Sequence, residues 1–122
     1  MVSCLFVGVG GFIGSVFRYL IGLVPIKGNE LFPINTLLIN IAGALVIGII
    51  AALASKMNVE KNLLLFLKTG LCGGFTTFST FSLDTYNLFK NGHVGVAAIY
   101  VVLSVFLCLA VVFAGEIVGG LK

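Results

Sequence analysis

The residues most able to do chemistry lie together in one short segment of an otherwise apolar stretch, residues 73–81. The segment opens with two glycines, which weaken a helix because glycine loses the most backbone freedom on ordering. Two threonines follow shortly after, and their hydroxyls compete for nearby backbone partners. Three phenylalanines recur at every third position and would share one face of a helix: Phe75, Phe78 and Phe81. The pattern predicts a helix that breaks between Gly73 and Thr76 and exposes backbone groups, hydroxyls and ring edges to a small ligand.

The composition predicts that this segment lies in a membrane. Hydrophobic residues make up 60% of the chain, charged residues 9%, and the mean hydropathy is +1.24. A spanning helix needs about 20 mostly apolar residues, so the chain has room for four helices and for no soluble domain. We expect an all-α integral membrane protein, a single domain over residues 1–122, with its third helix broken near the middle. The approximate predicted helices are 2–24, 33–54, 62–89 and 94–118.

Several polar side chains occur singly within these apolar runs. Asn40 is a functional candidate because a polar side chain is costly inside a membrane, although an interhelical hydrogen bond is a serious rival explanation. Arg18 either reaches out to the lipid headgroups or places a cation at a pore mouth. A weak polar stripe on the last helix either lines a path or helps helices to pack: Tyr100, Ser104 and Cys108.

The polar groups within the spans are mostly hydrogen-bond donors, on Asn40, Ser79, Thr80, Tyr100 and Ser104. A half-helix that starts after the break adds free N–H groups and a positive dipole end. Phenyl rings have a positive edge, which also suits an anion. The carboxylates Asp84 and Glu116 lie toward helix ends, whereas a proton-coupled or cation-exporting transporter would need one at mid-span. This balance of groups favours a small anion.

Cysteine and histidine residues give no sign of metal or enzymatic chemistry. Cys4, Cys72 and Cys108 lie in apolar surroundings, with neither the spacing of a zinc site nor that of a redox pair. We interpret them as small apolar residues packed between helices. His93 lies in a predicted loop without a nucleophile or base partner, so an enzyme is the least favoured class. The net charge of +3 includes no basic run, so no nucleic-acid partner is expected.

The basic residues are almost evenly divided between the two ends of the predicted helices. One end carries Arg18, Lys27 and Lys90. The other end carries Lys56, Lys61 and Lys122, with Lys68 close to it. The positive-inside rule therefore predicts no single orientation. A chain that inserts both ways up can form an antiparallel dimer, whose two-fold axis lies in the membrane plane.

Three motifs occur in order along the whole chain. They are Gly10-Gly11-Phe-Ile-Gly14-Ser-Val-Phe-Arg18-Tyr19, Thr36-Leu-Leu-Ile-Asn40-Ile-Ala-Gly43 and Gly70-Leu-Cys72-Gly73-Gly74-Phe75-Thr-Thr-Phe78-Ser-Thr-Phe81-Ser. Together they resemble the Fluc (CrcB) fluoride channel family, and the third motif is highly specific. The resemblance implies a dual-topology homodimer in the cell membrane, with two antiparallel pores that export fluoride passively. It also implies a structural sodium ion on the dimer axis, held by main-chain carbonyls that here belong to Gly73 and Thr76.

The resemblance also implies a role for individual residues. Phe78 and Phe81 would contact fluoride through their rings, Asn40 would be a donor lining the pore, and Arg18 would lie toward the aqueous vestibule. A polar track would comprise Ser79, Thr80, Tyr100 and Ser104. Two positions depart from the family pattern: Asp84 stands where Glu is typical, and Cys108 stands at a track position where a hydroxyl is expected. A thiol is the weaker donor.

Two rival classes make different demands on the sequence. A small multidrug transporter of the four-helix, dual-topology kind would need a mid-membrane glutamate in the first helix, and the sequence has none there. A non-conducting assembly subunit would not need a donor-lined break followed by phenyl rings. Both rivals therefore explain the sequence less well than an anion channel.

Overall fold

The protein is seen in a computed structural model that describes residues 1–26 and 31–121. The described elements are helices throughout, in the order α1 (Val2–Gly22), α2 (Ile34–Lys56), α3 (residues 61–75), α4 (Phe78–Lys90) and α5 (Val94–Gly120). Their ends lie within two residues of the predicted bounds. The first predicted loop includes residues 27–30, so Lys27 lies outside the described residues, as does Lys122.

The described helices form four segments that run the length of the bundle. Helices α1, α2 and α5 are each long and apolar enough to cross a membrane. Helices α3 and α4 together form the other span, interrupted between Phe75 and Phe78. The prediction of an all-α membrane protein with a broken third helix is thus confirmed. Large apolar side chains face outward, such as Phe12 and Phe106, which are 70% and 68% exposed. Such faces suit contact with lipid tails.

Helix α3 departs from α-helical geometry before it reaches the break. It starts with a turn of α-helix (Lys61–Leu64), continues as a π-helix (Leu65–Cys72) and ends with a short turn (Gly73–Phe75). A π-helix pairs each N–H with the carbonyl five residues earlier, and it occurs frequently at functional sites. The sequence patterns did not predict this stretch. It makes α3 the irregular half of the third span.

The break lies later in the chain than predicted, and its cause is different. Gly73 has helical angles, φ −63° and ψ −39°, and helix α3 continues through Phe75. The extended residues are Thr76, with ψ 158°, and Thr77, with ψ 116°. Of the predicted break from Gly73 to Thr76, Thr76 is therefore confirmed, and the prediction that the glycine pair itself breaks the helix is wrong. The backbone groups of Thr77 pair with Asn40 on α2, while Thr76 still donates to Cys72 in the preceding turn.

The glycines near the break serve close packing between α1 and α3. Gly10 and Gly14 are buried on α1, and a Cβ on Gly10 would lie only 2.9 Å from the backbone nitrogen of Leu71. On the facing helix, a Cβ on Gly74 would lie 2.6 Å from the backbone oxygen of Gly11. No side chain fits at these distances. Small residues therefore set how closely the two backbones approach.

Helices α2 and α5 pack in the same way. A Cβ on Gly48 would lie 3.2 Å from the Cα of Gly115, and one on Gly119 would lie 2.7 Å from the backbone oxygen of Ile49. At the end of this pair, the ammonium of Lys56 donates to the carbonyl of Gly120. The loop after α2 and the C-terminal end of α5 therefore lie on the same side of the bundle.

Candidate functional site

Asn40 and Thr77 join α2 to the helix break through two hydrogen bonds. The backbone N–H of Thr77 donates to the Oδ1 of Asn40 at 2.8 Å. In return the Nδ2 of Asn40 donates to the carbonyl of Thr77 at 3.1 Å. One amide side chain thus satisfies both backbone groups of a residue that has left the helix. A break inside an apolar bundle requires such partners, because no water is present to supply them.

Thr77 also caps the second half of the broken helix. Its Oγ1 accepts from the backbone N–H of Thr80 at 3.0 Å, which is the usual bond of an N-cap threonine. The same hydroxyl donates to the Oγ1 of Thr80 at 3.0 Å and lies 3.3 Å from the Oγ of Ser79. Ser79 and Thr80, both predicted for the polar track, therefore form the hydroxyl cluster at the start of α4.

The break frees two backbone carbonyls from their helical donors. In a continuous α-helix the N–H of Thr77 would pair with Gly73, and that of Thr80 with Thr76. Instead those N–H groups donate to Asn40 and to the side chain of Thr77. The N–H and hydroxyl of Thr76 both donate to the carbonyl of Cys72, at 3.0 and 2.9 Å. Within the described residues, the oxygens of Gly73 and Thr76 therefore lose the donors that a continuous α-helix would supply.

Arg18 reaches inward to the end of α3. Its Nε donates to the carbonyl of Gly74 at 3.0 Å, and the hydroxyl of Ser15 donates to the same oxygen at 3.4 Å. A cation at the C-terminal end of a helix interacts favourably with the helix dipole. The half-buried Arg18 thus supports the broken end of α3, a contact that the predicted position near a vestibule did not include.

A cavity of about 410 Å³ lies beside the break, between α2, α3, α4 and α5. It brings together five residues predicted from the sequence to face or border the ion path, Asn40, Phe78, Phe81, Ser104 and Cys108, with the predicted sodium ligands Gly73 and Thr76. Its remaining wall includes Thr77, Cys72 and Lys68, together with apolar residues of α2 and α5. No carboxylate of a described residue lines it. The cavity therefore combines apolar walls with donor groups.

The phenyl rings divide between two sites. Phe78 and Phe81 have ring centroids 5.5 Å apart on the cavity wall, and Phe78 is 78% exposed. Phe75 precedes the break and lines a separate apolar crevice with Phe17 and Leu71. The prediction that the three rings share one helix face is wrong, because the extended residues between Phe75 and Phe78 change the direction of the chain.

The polar stripe of α5 is divided in a similar way. Ser104 and Cys108 line the cavity, and the Oγ of Ser104 is buried without a hydrogen-bond partner in the described part of the chain. Tyr100 is fully buried and packs behind Phe81, with ring centroids 5.2 Å apart. Its hydroxyl donates to the Oδ2 of Asp84 at 3.1 Å. Tyr100 and Asp84 therefore form a pair next to the cavity, outside its wall.

Two residues of this site had no assigned role in the sequence predictions. Thr77 holds the break, and the signal that could have identified it is a threonine three residues before Thr80, the spacing of an N-cap bond. Lys68 lines the cavity, and its signal is a lysine within an apolar span.

The fold and the site define a multi-pass α-helical membrane protein with a donor-lined cavity inside an apolar bundle. The family described as "CrcB-like protein, Camphor Resistance (CrcB)" matches residues 5–116. A relative from Agrobacterium fabrum, named "Fluoride-specific ion channel FluC", is 45% identical over 98% of this chain and 97% of its own. Relatives of the same name from Rhizobium etli and Ruminiclostridium cellulolyticum are 47% and 46% identical, over 94% and 95% of this chain and 94% and 91% of theirs. The chain belongs to the CrcB family.

Proposed function

We propose that this protein is a fluoride-selective channel, which exports fluoride passively across the cell membrane and lowers the cytoplasmic concentration. Its relatives carry the name of fluoride-specific ion channels, and the family consists of channels rather than enzymes. The observation that carries the proposal is Ser104, which lines the cavity and whose buried hydroxyl has no hydrogen-bond partner among the described residues. An unpaired buried donor is costly unless something in the cavity accepts from it.

The charge and hydrogen-bonding properties of the cavity favour an anion. Among the described residues no carboxylate lines it, while the hydroxyl of Ser104 and the amide of Asn40 do. Asn40 uses one N–H on Thr77 and has a second one available. The N-terminal end of α4, with its positive dipole, starts at Phe78 on the same wall. A small anion would meet donors and ring edges along this surface.

The proposed path uses the remaining predicted residues on either side of the cavity. Phe78 and Phe81 present their rings to fluoride, and Ser104 supplies a hydroxyl. Ser79 and Thr80 extend the donor set at the start of α4. Tyr100, with Asp84, lies behind Phe81 and stabilises that ring. Arg18 supports the end of α3 near the approach to the break.

The working unit in this proposal is an antiparallel homodimer with two pores. The cavity is open to the outside of the single chain, and the largely exposed Phe78 stands at its edge. A second copy would close this opening. The nearest atom to a Cβ on Gly73 is the backbone oxygen of Lys68, at 3.7 Å, so Gly73 has free space on the side where a partner would pack. The balanced charges of the loops allow both orientations.

The two freed carbonyls fit a structural sodium ion. Oxygens of unwound backbone and of half-helix C-terminal ends are the groups that hold sodium in membrane transport proteins. Gly73 and Thr76 offer two such oxygens, while Gly74 is already bound to Arg18. With the same pair from a second copy, four carbonyls would surround one cation. The ion would supply positive charge to carbonyl oxygens whose helical N–H donors are bound elsewhere.

Efflux from liposomes tests the proposed function directly. Protein is reconstituted in vesicles loaded with potassium fluoride, and valinomycin is added so that potassium can leave and balance the charge of the departing fluoride. A fluoride electrode should then record fluoride release. Vesicles loaded with potassium chloride should release far less. Equal release of both anions would overturn the proposal, as would fluoride release no faster than that from protein-free vesicles loaded in the same way.

Exchange of the cation tests the sodium site separately. We expect activity to decline slowly after lithium replaces sodium on both sides, because an ion held between two subunits must leave its carbonyl ligands before lithium can replace it. Activity that is the same after prolonged incubation in sodium-free lithium buffer would exclude the sodium ion and leave the fluoride path in place.

A further inference from the structure

Lys68 is a charged residue on the wall of the same cavity as Ser104 and Phe78. It is half-buried and lies in the π-helical stretch of α3. A lysine at such a position in a membrane protein normally pairs with a carboxylate or faces a water-filled or ion-filled space. The positive charge of Lys68 therefore needs either a carboxylate partner or an anion in the cavity.

No described carboxylate takes that role. Asp84 accepts from Tyr100, Glu60 accepts from the backbone N–H of Leu63 at 3.0 Å, and neither lines the cavity. Glu116 is also absent from the cavity wall. Within the described residues Lys68 forms neither an ion pair nor a hydrogen bond, and its charge is left to whatever enters the cavity.

We propose that Lys68 is an anion-attracting residue of the conduction path, whose ammonium raises the local concentration of fluoride in the cavity. This inference rests on the proposed function. The other cation near the break, Arg18, already binds the carbonyl of Gly74 through its Nε. Among the described residues, Lys68 is thus the cation on the cavity wall that has no partner within the protein.

The expected effect is on rate rather than on assembly. A fixed charge in a low-dielectric cleft raises the local counter-ion concentration and the entry rate by about 10- to 1000-fold where field lines are focused, and the effect falls with ionic strength. Because Lys68 is half-buried, part of its field is screened by solvent. We therefore expect the lower end of this range or somewhat less.

Two variants test the inference, one that removes the positive charge of Lys68 and one that keeps it. Lys68→Gln should lower the fluoride efflux rate by about 3- to 10-fold at low ionic strength, and the loss should shrink as inert salt is added. Lys68→Arg should retain most of the rate. The matched control is Lys61→Gln, an exposed lysine at the start of the same helix and outside the cavity wall, which should leave the rate unchanged.

Chemical modification of the assembled protein separates charge from folding. In a background with Cys4, Cys72 and Cys108 replaced, Lys68→Cys should conduct poorly. Aminoethyl methanethiosulfonate, which restores a positive charge at the end of a similar side chain, should raise its rate. Sulfonatoethyl methanethiosulfonate should lower the rate further. Equal effects of the two reagents would overturn the inference even if Lys68→Gln fails to fold.

The outcomes also distinguish this inference from the proposed function. If the unmodified protein releases no fluoride, the proposed function itself fails. If it releases fluoride and Lys68→Gln matches its rate at low ionic strength, only the role of Lys68 is overturned.

Discussion

Asn40 and Thr77 are joined by two hydrogen bonds between one side chain and one residue's backbone, of 2.8 and 3.1 Å. These two bonds allow the helix to break among apolar neighbours while the N–H and the carbonyl of Thr77 both keep a partner. Of the two alternatives for Asn40, the interhelical hydrogen bond is thus observed, and the residue also lines the cavity.

Asn40→Ala should destabilise the protein and stop conduction. Both backbone groups of Thr77 would lose their partner, at a cost of about 1–3 kcal/mol each. The matched control is Asn35→Ala, which likewise removes two hydrogen bonds, here donated to the carbonyls of Gly22 and Val24 at an exposed site. Thermal unfolding in detergent should show a much larger loss for Asn40→Ala. Equal losses would mean that the pair with Thr77 is no more important than a surface contact.

Replacing Phe78 or Phe81 by isoleucine should impair fluoride efflux in both cases but should affect the stability of the protein differently. Phe78→Ile and Phe81→Ile should each lower fluoride efflux by about tenfold or more, equivalent to about 1.4 kcal/mol of barrier. Phe81→Ile should also lower stability by about 0.5–1.5 kcal/mol, because its ring packs on Tyr100. Phe78 packs on Phe81 but is largely exposed, so its variant should lose less stability than Phe81→Ile. Unchanged efflux in both variants would assign the rings to packing alone.

Thr76 and Gly43 should show strong coupling. A Cβ on Gly43 would clash with the γ-methyl of Thr76, so Gly43→Ala should be destabilising. Thr76→Ser keeps the hydroxyl bond to Cys72 and should be mild alone. Because serine lacks the methyl, the double variant should recover about 0.5–3 kcal/mol relative to the sum of the single changes. Additive unfolding energies would contradict this contact.

Neighbouring glycines should separate folding from assembly. Gly74→Ala should destabilise each chain, because the new Cβ would lie 2.6 Å from the backbone oxygen of Gly11. A Cβ at Gly73 meets no close contact within the chain, and Gly73→Val gains roughly a few tenths of a kcal/mol in helix propensity because valine ranks above glycine. It should fold but lose dimerisation and fluoride efflux. Size-exclusion chromatography with light scattering measures this, and a fully dimeric Gly73→Val protein would remove Gly73 from the interface.

Labelling should detect both orientations in one membrane. Lys56→Cys, in a background without the native cysteines, places a thiol at the exposed end of α2. An impermeant maleimide added to sealed vesicles should label about half of the protein, and the remainder only after permeabilisation. Complete labelling from one side would exclude the antiparallel dimer.

The sequence by itself determined the features that depend on local composition. The count of spans follows from chain length and hydropathy, and the small residues Gly10 and Gly14, spaced by four, allow some other helix to approach α1 closely. The donor set without a mid-span carboxylate could also be recognised, as could the family. These properties need no knowledge of which helix lies beside which, because length, polarity and side-chain volume belong to each segment separately.

Tertiary structure decided how the backbone groups of the third span are satisfied. The break falls at Thr76 and Thr77 rather than at the glycines because Asn40, 37 residues away, competes for the backbone of Thr77. Arg18 binds Gly74 across 56 residues of chain, and Phe75 is separated from Phe78 as a result of the same break. Lys68 reaches the cavity only because α3 packs beside α2 and α5. Hydrogen-bond competition between distant segments depends on their relative positions, which local sequence patterns do not encode.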